Sequence, residues 1–339
     1  MAVYTQIDNP ELYFQSVLWN GNSSTQAITL GGEEDMQPDF VWIKSRNNTG
    51  TNNVGNHRNY DSVRGVEKLL YSNLTNAEAD ASTGLTAFGS NGFTLGNDAN
   101  SNATNGTYIA WCWKESATSG FDIVSYTGNA TARTISHSLS AVPHVIIVKP
   151  RESGSEGWAV YHKGIASDAE TDFIRMDETN AASDHADYWN DTAPTSSVFT
   201  VGTDSAVNTN TEGVIAYLFS EKQGFSKFGS YTGNGNADGT FIYTGFRPAW
   251  VMIKKSSATG DSWQIHDNKR DTFNVAETRL LSNSSNADAT NTDNLDMLSN
   301  GFKIRNSDAN FGTSGATYIY MAFAEAPFVN SNGVPCNAR

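Results

Sequence analysis

The stretch QPDFVWIKSR (Gln37–Arg46) recurs as VPHVIIVKPR (Val142–Arg151) and again as RPAWVMIKKS (Arg247–Ser256). Pro38, Pro143 and Pro248 stand 105 residues apart at both steps, and Lys44, Lys149 and Lys254 keep the same register. A fixed period sets the architecture before any single residue does. Proline suits the first residue of a strand, where its missing N–H leaves no ladder bond unmade. After it, Phe40, Trp42 and Lys44 alternate with Val41 and Ile43. Apolar residues on both faces predict a strand covered on both sides, as in the middle of a sandwich.

Other landmarks keep the period. Each unit closes on a second strand-like run: TYIAWCWKE (Thr107–Glu115), GVIAYLFSE (Gly213–Glu221) and TYIYMAFAE (Thr317–Glu325). In the first of these Ile109, Trp111 and Trp113 take one face, and Tyr108, Ala110 and Cys112 the other. Before it come SNGFTLGN from Ser90, SSVFTVGT from Ser196 and SNGFKIRN from Ser299. Upstream of each proline lies an aromatic turn: WNGN at Trp19, YTGN at Tyr126 and YTGN at Tyr231. Asn-Gly between apolar runs also signals a hairpin at Asn20-Gly21.

A unit of this length matches an autonomous domain rather than a solenoid repeat. The expected organisation is an arm (1–15), three units (16–119, 120–223 and 224–325) and a tail (326–339). Many short runs between Gly-, Asn- and Ser-rich turns predict an all-β chain. Seven or eight runs per unit suggest three tandem homologous antiparallel β-sandwich domains of jelly-roll type. The length suffices for three separate cores. Junctions as short as Ser116–Ser119 and Lys222-Gln223 predict a rigid three-lobed body. The segment DSVRGVEKLLY (Asp61–Tyr71) fits a helical face, but WAVYH and WQIHD at the matching places favour two short strands and a turn.

Composition excludes several functions. The net charge is −14, and no Lys/Arg cluster could replace phosphate counterions, so no nucleic-acid partner is expected. Two cysteines, Cys112 and Cys336, make no disulfide framework. No basic-then-apolar leader opens the chain, and no apolar run approaches a transmembrane length, so assembly in a cytoplasm without membrane insertion is expected. The six histidines lack metal-site spacing, and no Walker A, GxSxG or GxGxxG site stands in its required context. No cofactor is expected. Loops rich in Asp and Asn leave Ca²⁺ as the metal to consider, although these residues also cap turns on their own backbone.

Candidate contact residues fall into three groups. Asp61-x-x-Arg64 recurs as Asp267-x-x-Arg270, an acid and a base that either lock a turn or meet a ligand; the middle unit has His162-Lys163-Gly164 there. Trp19, Tyr126 and Tyr231 lie beside Gly and Asn, a setting that suits sugar rings, or else plug each unit's core. Tyr13 and Phe14 in the arm either belong to a frayed terminus or dock on a neighbouring subunit.

The SYTGN turns, the VPHVIIVKPR-type strands, the SNGFTLG run and the closing YIAWCWKE and YIYMAFAE strands together resemble a repeat domain of uncharacterised function. That domain occurs in virion proteins of marine tailed phages. The opening VYTQIDNPELYFQ is similar to the N-terminus of such proteins, and DSVRGVEKLL to their first repeat. The resemblance covers essentially the whole chain. It implies a non-enzymatic virion protein: a tail fibre, spike or head decoration, homo-oligomeric, in contact with other virion proteins and with host-surface glycan. No catalytic residues come with it. The alternatives are a free carbohydrate-binding module or adhesin, and a polysaccharide depolymerase.

Overall fold

The computed structural model describes residues 5–50 and 55–336, so the first four residues of the arm and the last three of the tail lie outside the described residues. The first unit contributes β1 (Phe14–Asn20), β2 (Gln26–Thr29), β3 (Phe40–Ser45), β4 (Arg58–Asp61), β5 (Lys68–Tyr71), β6 (Ala79–Asp80), β7 (Leu85–Gly89), β8 (Gly92–Leu95) and β9 (Thr107–Trp113). The second contributes β10 (Phe121–Thr127), β11 (Arg133–Ser136), β12 (Val145–Pro150), β13 (Ala159–His162), β14 (Asp172–Arg175), β15 (Ser183–Asp184), β16 (Val198–Val201) and β17 (Gly213–Phe219). The third contributes β18 (Ser226–Thr232), β19 (Phe241–Tyr243), β20 (Phe246–Lys255), β21 (Gln264–Asp267), β22 (Ala276–Leu281), β23 (Ala289–Leu298), β24 (Gly301–Ile304) and β25 (Thr317–Pro327).

The chain is all-β, and its sheets are antiparallel. The large sheets run β1-β9-β3-β4-β5-β6 and β10-β17-β12-β13-β14-β15, and the third begins in the same order, β18-β25-β20-β21-β22. Beside the first two lie small sheets, β2-β8-β7 and β11-β16. In the third unit the ten-residue β23 pairs with both β22 and β24. It thereby fuses large and small sheets into one eight-stranded sheet that curls almost into a barrel.

The stretch Asp61–Tyr71 runs from the last residue of β4 through a turn with Gly65 at φ +91° into β5, so it forms strands and a turn rather than a helix. The hairpin expected at Asn20-Gly21 does not form: β1 pairs with β9, and β2 with β8. Gly21 instead turns the chain from one sheet to the other. A Cβ there would stand 2.1 Å from Ala103 O, and the matching glycines Gly128 and Gly233 are pressed equally by Thr209 O and Thr313 O. The glycine serves close backbone approach.

β3 and β9 are covered on both faces, as their alternation predicts. Val41, Ile43, Tyr108, Ala110 and Cys112 pack between the two sheets of the first unit. Phe40, Trp42, Ile109, Trp111 and Trp113 face the other way and meet the other two units. The expectation of three separate cores is therefore corrected. One apolar cluster runs from Phe14 through Phe121, Val145 and Phe219 to Trp250 and Phe323, because each large sheet turns an aromatic face towards the same centre. At that centre sit Trp113, Phe219 and Phe323, each two residues before the closing glutamate of its unit. Their ring centroids are 6.4 Å (Trp113–Phe219), 5.6 Å (Trp113–Phe323) and 5.8 Å (Phe219–Phe323) apart. Three positions matched by the sequence period thus form a triangle in the shared core.

Candidate functional site

Around this triangle the units join through three seams, each built from matching positions. Tyr71, Arg175 and Leu281 are equivalent, since they pair with the first residues of β4, β13 and β21. Trp158 Nε1 donates to Tyr71 O at 2.8 Å and Trp263 Nε1 to Arg175 O at 2.9 Å. His57, at the matching place in the first unit, has its Nε2 2.9 Å from Leu281 O. Trp42 Nε1 donates to His57 Nδ1, so the ring proton lies on Nε2, and the imidazole stands in for an indole. Burial, reinforced by Lys44, holds His57 well below its ordinary pKa, in the neutral form that this geometry needs.

The backbone repeats the pattern: Glu78 N donates to Arg151 O, Ala182 N to Ser256 O and Asp288 N to Arg46 O, at 2.6, 2.9 and 2.8 Å. Each bond runs from one unit to the next and the third returns to the first. Heterologous contacts that close in this way form a ring rather than an open chain. The three register lysines sit in the seams as well. Lys149 Nζ reaches Pro150 O at 2.8 Å and Thr75 O of the first unit at 3.1 Å. Lys254 Nζ reaches Lys255 O at 2.6 Å and Thr179 O of the second at 3.5 Å. Lys44 Nζ reaches Ser45 O at 2.5 Å and, at 3.3 Å, Asn48 Oδ1, whose amide donates to Ser285 O of the third. Burial lowers these amines to about 7 for Lys44 and about 8 for Lys149 and Lys254.

Two seams also carry a buried ion ladder. Asp61 pairs with Arg64, Arg64 with Glu78 at 3.0 Å, and Glu78 with Arg151 of the next unit at 2.7 Å. Asp267 pairs with Arg270 at 2.6 Å, Arg270 with Asp288 at 3.0 Å, and Asp288 with Arg46 at 2.7 Å. The Oδ2 that each aspartate offers its arginine also accepts across the seam, from Tyr217 Oη at 2.6 Å in Asp61 and from Trp111 Nε1 at 3.1 Å in Asp267. Burial alone would lower the Arg64 guanidinium, but Tyr217, Asp61 and Glu78 together hold it above its ordinary value. Arg270 is raised likewise by Asp267 and Asp288 against the same burial. The remaining seam has His162, Ile165, Ala182 and Ser256 at these places. His162 Nδ1 accepts from Gly164 N, and its Nε2 donates to Tyr320 O at 3.0 Å.

Asp61, Arg64, Asp267 and Arg270 are thus brought together with residues of the next unit, as turn locks that also bridge units. The aromatic turn residues are placed otherwise than an exposed sugar platform requires. Trp19 and Tyr231 are buried, stacked on Tyr108 and Tyr318 with centroids 5.4 and 4.9 Å apart, and Tyr126 is half-buried. All three tie down the same loop: Trp19 Nε1 to Ser101 O, Tyr126 Oη to Val207 O and Tyr231 Oη to Phe311 O. The arm's aromatics meet other units of their own chain. Phe14 stacks on Phe323 at 5.3 Å, Tyr13 lies edge-on to Phe225 at 6.1 Å, and Gln6 N donates to Gln223 O. Among the described residues no three His, Cys, Asp or Glu side chains stand close enough to hold a metal ion. Asp98 and Asp308 cap their own turns, accepting from Ser101 Oγ and Asn310 N. Sequence reasoning missed the Trp158, Trp263 and His57 ring: the 105-residue period aligns Trp158 with Trp263, but His57 stands 13 residues after Lys44 where each tryptophan stands 9 after its lysine.

Three antiparallel sheets that share a strand order and contact one another through matching residues define the class: an all-β protein. The chain belongs to the family described as a domain of unknown function, DUF7483, whose model matches residues 9–327. That match is a single span across all three units. No curated protein matches the chain.

Proposed function

We infer that this chain is a non-enzymatic structural protein of a tailed-phage virion. In this reading its units are three tandem β-sandwich domains of jelly-roll type, serving as a surface appendage or decoration. The chain acts as a homo-oligomer in contact with other virion proteins. The observation that carries the reading is where the polar residues lie. The acid–base pairs, the low-pKa lysines and His57 and His162 are buried and engaged in joining one unit to the next, an economy suited to a rigid building block. The resemblance of the repeated motifs to phage virion domains supplies the particle. Electron cryo-microscopy of the purified chain beside its source particle tests this. Density for the chain in a symmetric array on the particle is the expected result. A chain absent from particles overturns it.

A further inference from the structure

β19 is the outermost strand of the eight-stranded sheet, paired only with β24. It presents Phe241 and Tyr243 outward, 44% and 58% exposed, with Ile242 buried between them. Register identifies the matching residues in the other units. Tyr243 lies opposite Gly301 as Thr29 lies opposite Gly92 and Ser136 opposite Val198, so Phe241 and Tyr243 correspond to Ala27 and Thr29 and to Thr134 and Ser136. All four counterparts are exposed, and none is aromatic. The fold, built three times in one chain, does not need rings at this place.

The surroundings define what the rings suit. Phe241 is directly opposite Lys303, which is directly opposite Asp296, so a row crosses three strands on one face. Lys303 is bridged by Asp238, and Arg305 lies 3.6 Å from Asp296, so the local charge is balanced. The Tyr243 hydroxyl has no hydrogen-bond partner among the described residues. Residues two apart on a strand stand about 7 Å from each other, which offers two adjacent aromatic faces. Pyranose rings have apolar C–H faces and hydroxyl edges, and fit aromatic faces flanked by donors and acceptors. A balanced platform on a chain of net charge −14 disfavours an acidic partner.

We propose that the outer face of β19 and β24, centred on Phe241 and Tyr243, is a binding platform for a neutral oligosaccharide. The rings stack on two successive sugar units, and Asp238, Lys303 and the Tyr243 hydroxyl take the hydroxyl edges. The proposal holds whether or not the chain is a virion protein, and particle localisation can fail without affecting it.

The test applies the full-length chain to an array of neutral and acidic di- to hexasaccharides and titrates the tightest neutral binder by NMR. A double variant, Phe241→Thr with Tyr243→Ser, installs the residues of the second unit. The expected result is binding of neutral members by the native chain, weakened about tenfold or more in the variant, as for loss of aromatic anchors, with an unchanged melting curve. Should the double variant melt early, Tyr243→Ser at the more exposed position gives the same reading. Absence of neutral binding, or equal binding by the variants, overturns the proposal. So does light scattering in which the native chain self-associates and the variant does not, since a second copy would then cover the face.

Discussion

Tyr217 donates a 2.6 Å hydrogen bond to the Asp61 carboxylate across 156 residues of sequence, while Arg64 grips the same carboxylate from within its own turn. All three side chains are buried, so the carboxylate fixes both the turn and the seam. Removing one member of a buried ion pair leaves the other charge uncompensated, at a cost of about 3–5 kcal/mol. Arg64 keeps Glu78 as a partner, so Asp61→Asn is expected to lower unfolding free energy by less than that, about 1–3 kcal/mol, read from urea denaturation. Asp61→Asn and Tyr217→Phe should be non-additive, with a coupling of about 0.5–3 kcal/mol. Additive losses would mean that the seam bond contributes nothing.

The second prediction concerns Glu115. The antiparallel bridge between Ser116 and Phe121 brings Asp122 of β10 beside it, whereas the equivalent Glu221 meets Lys227 at 2.5 Å. Burial, then the hydrogen bond with Asp122, raises the Glu115 carboxyl from 4.5 to about 7. A group whose folded pKa is raised contributes stability that is complete below its unfolded pKa and lost as pH rises through the folded one. Stability should therefore fall between pH 4.5 and about 7 on account of Glu115. Glu115→Gln keeps an acceptor for Ile123 N and should flatten this limb. Glu221→Gln, lacking the acid neighbour, should not. Urea midpoints across the range decide it.

The lysines act on the alkaline side. Lys44 titrates at about 7 in the fold against an ordinary 10.5, and Lys149 and Lys254 at about 8. Here the folded pKa is lowered, so the stabilisation is complete above the unfolded value and lost as pH falls through the folded one. Stability should rise from about pH 7 towards 10.5. The buried neutral His57, His162 and His266 add a rise of their own on the acid side, so each limb is read as a difference from the native profile. A native-minus-Glu115→Gln difference that stays flat from pH 4.5 to about 7, or a native-minus-Lys44→Met difference that stays flat above about pH 7, would contradict the respective assignment.

How far these features could be read from sequence depends on what they touch. The alternation in FVWIKS and TYIAWCW correctly assigns both faces of β3 and β9, because a strand's period is local. It cannot say what covers the second face. Covered strands look alike whether a sandwich partner or a neighbouring unit lies above them, so the shared core was not legible. Asp61 and Arg64 are legible as a turn lock from their spacing, whereas Tyr217 and Arg151 are set by the closure of three units. Trp19, Tyr126 and Tyr231 look like binding residues because Gly and Asn flank them, yet those neighbours serve the corner where the chain changes sheets. The exposed rings of Phe241 and Tyr243 carry no motif; only the comparison of three copies in one register distinguishes them.

The last prediction tests the shared core itself. Phe323 touches Phe14 and Trp113 of the first unit, Phe219 of the second, and Phe225, Phe228 and Trp250 of its own. Truncating a buried aromatic to alanine costs about 3–5 kcal/mol, the transfer term plus the cavity left behind. Were the units independent, Phe323→Ala would loosen only residues of the third. The ring of seams and the continuous cluster predict otherwise. Near-ultraviolet circular dichroism and tryptophan fluorescence should melt together, and hydrogen exchange should quicken in β9 and β17 as much as in β25. Exchange that quickens in β25 alone would show that the three units unfold separately and that the central triangle is contact without cooperativity.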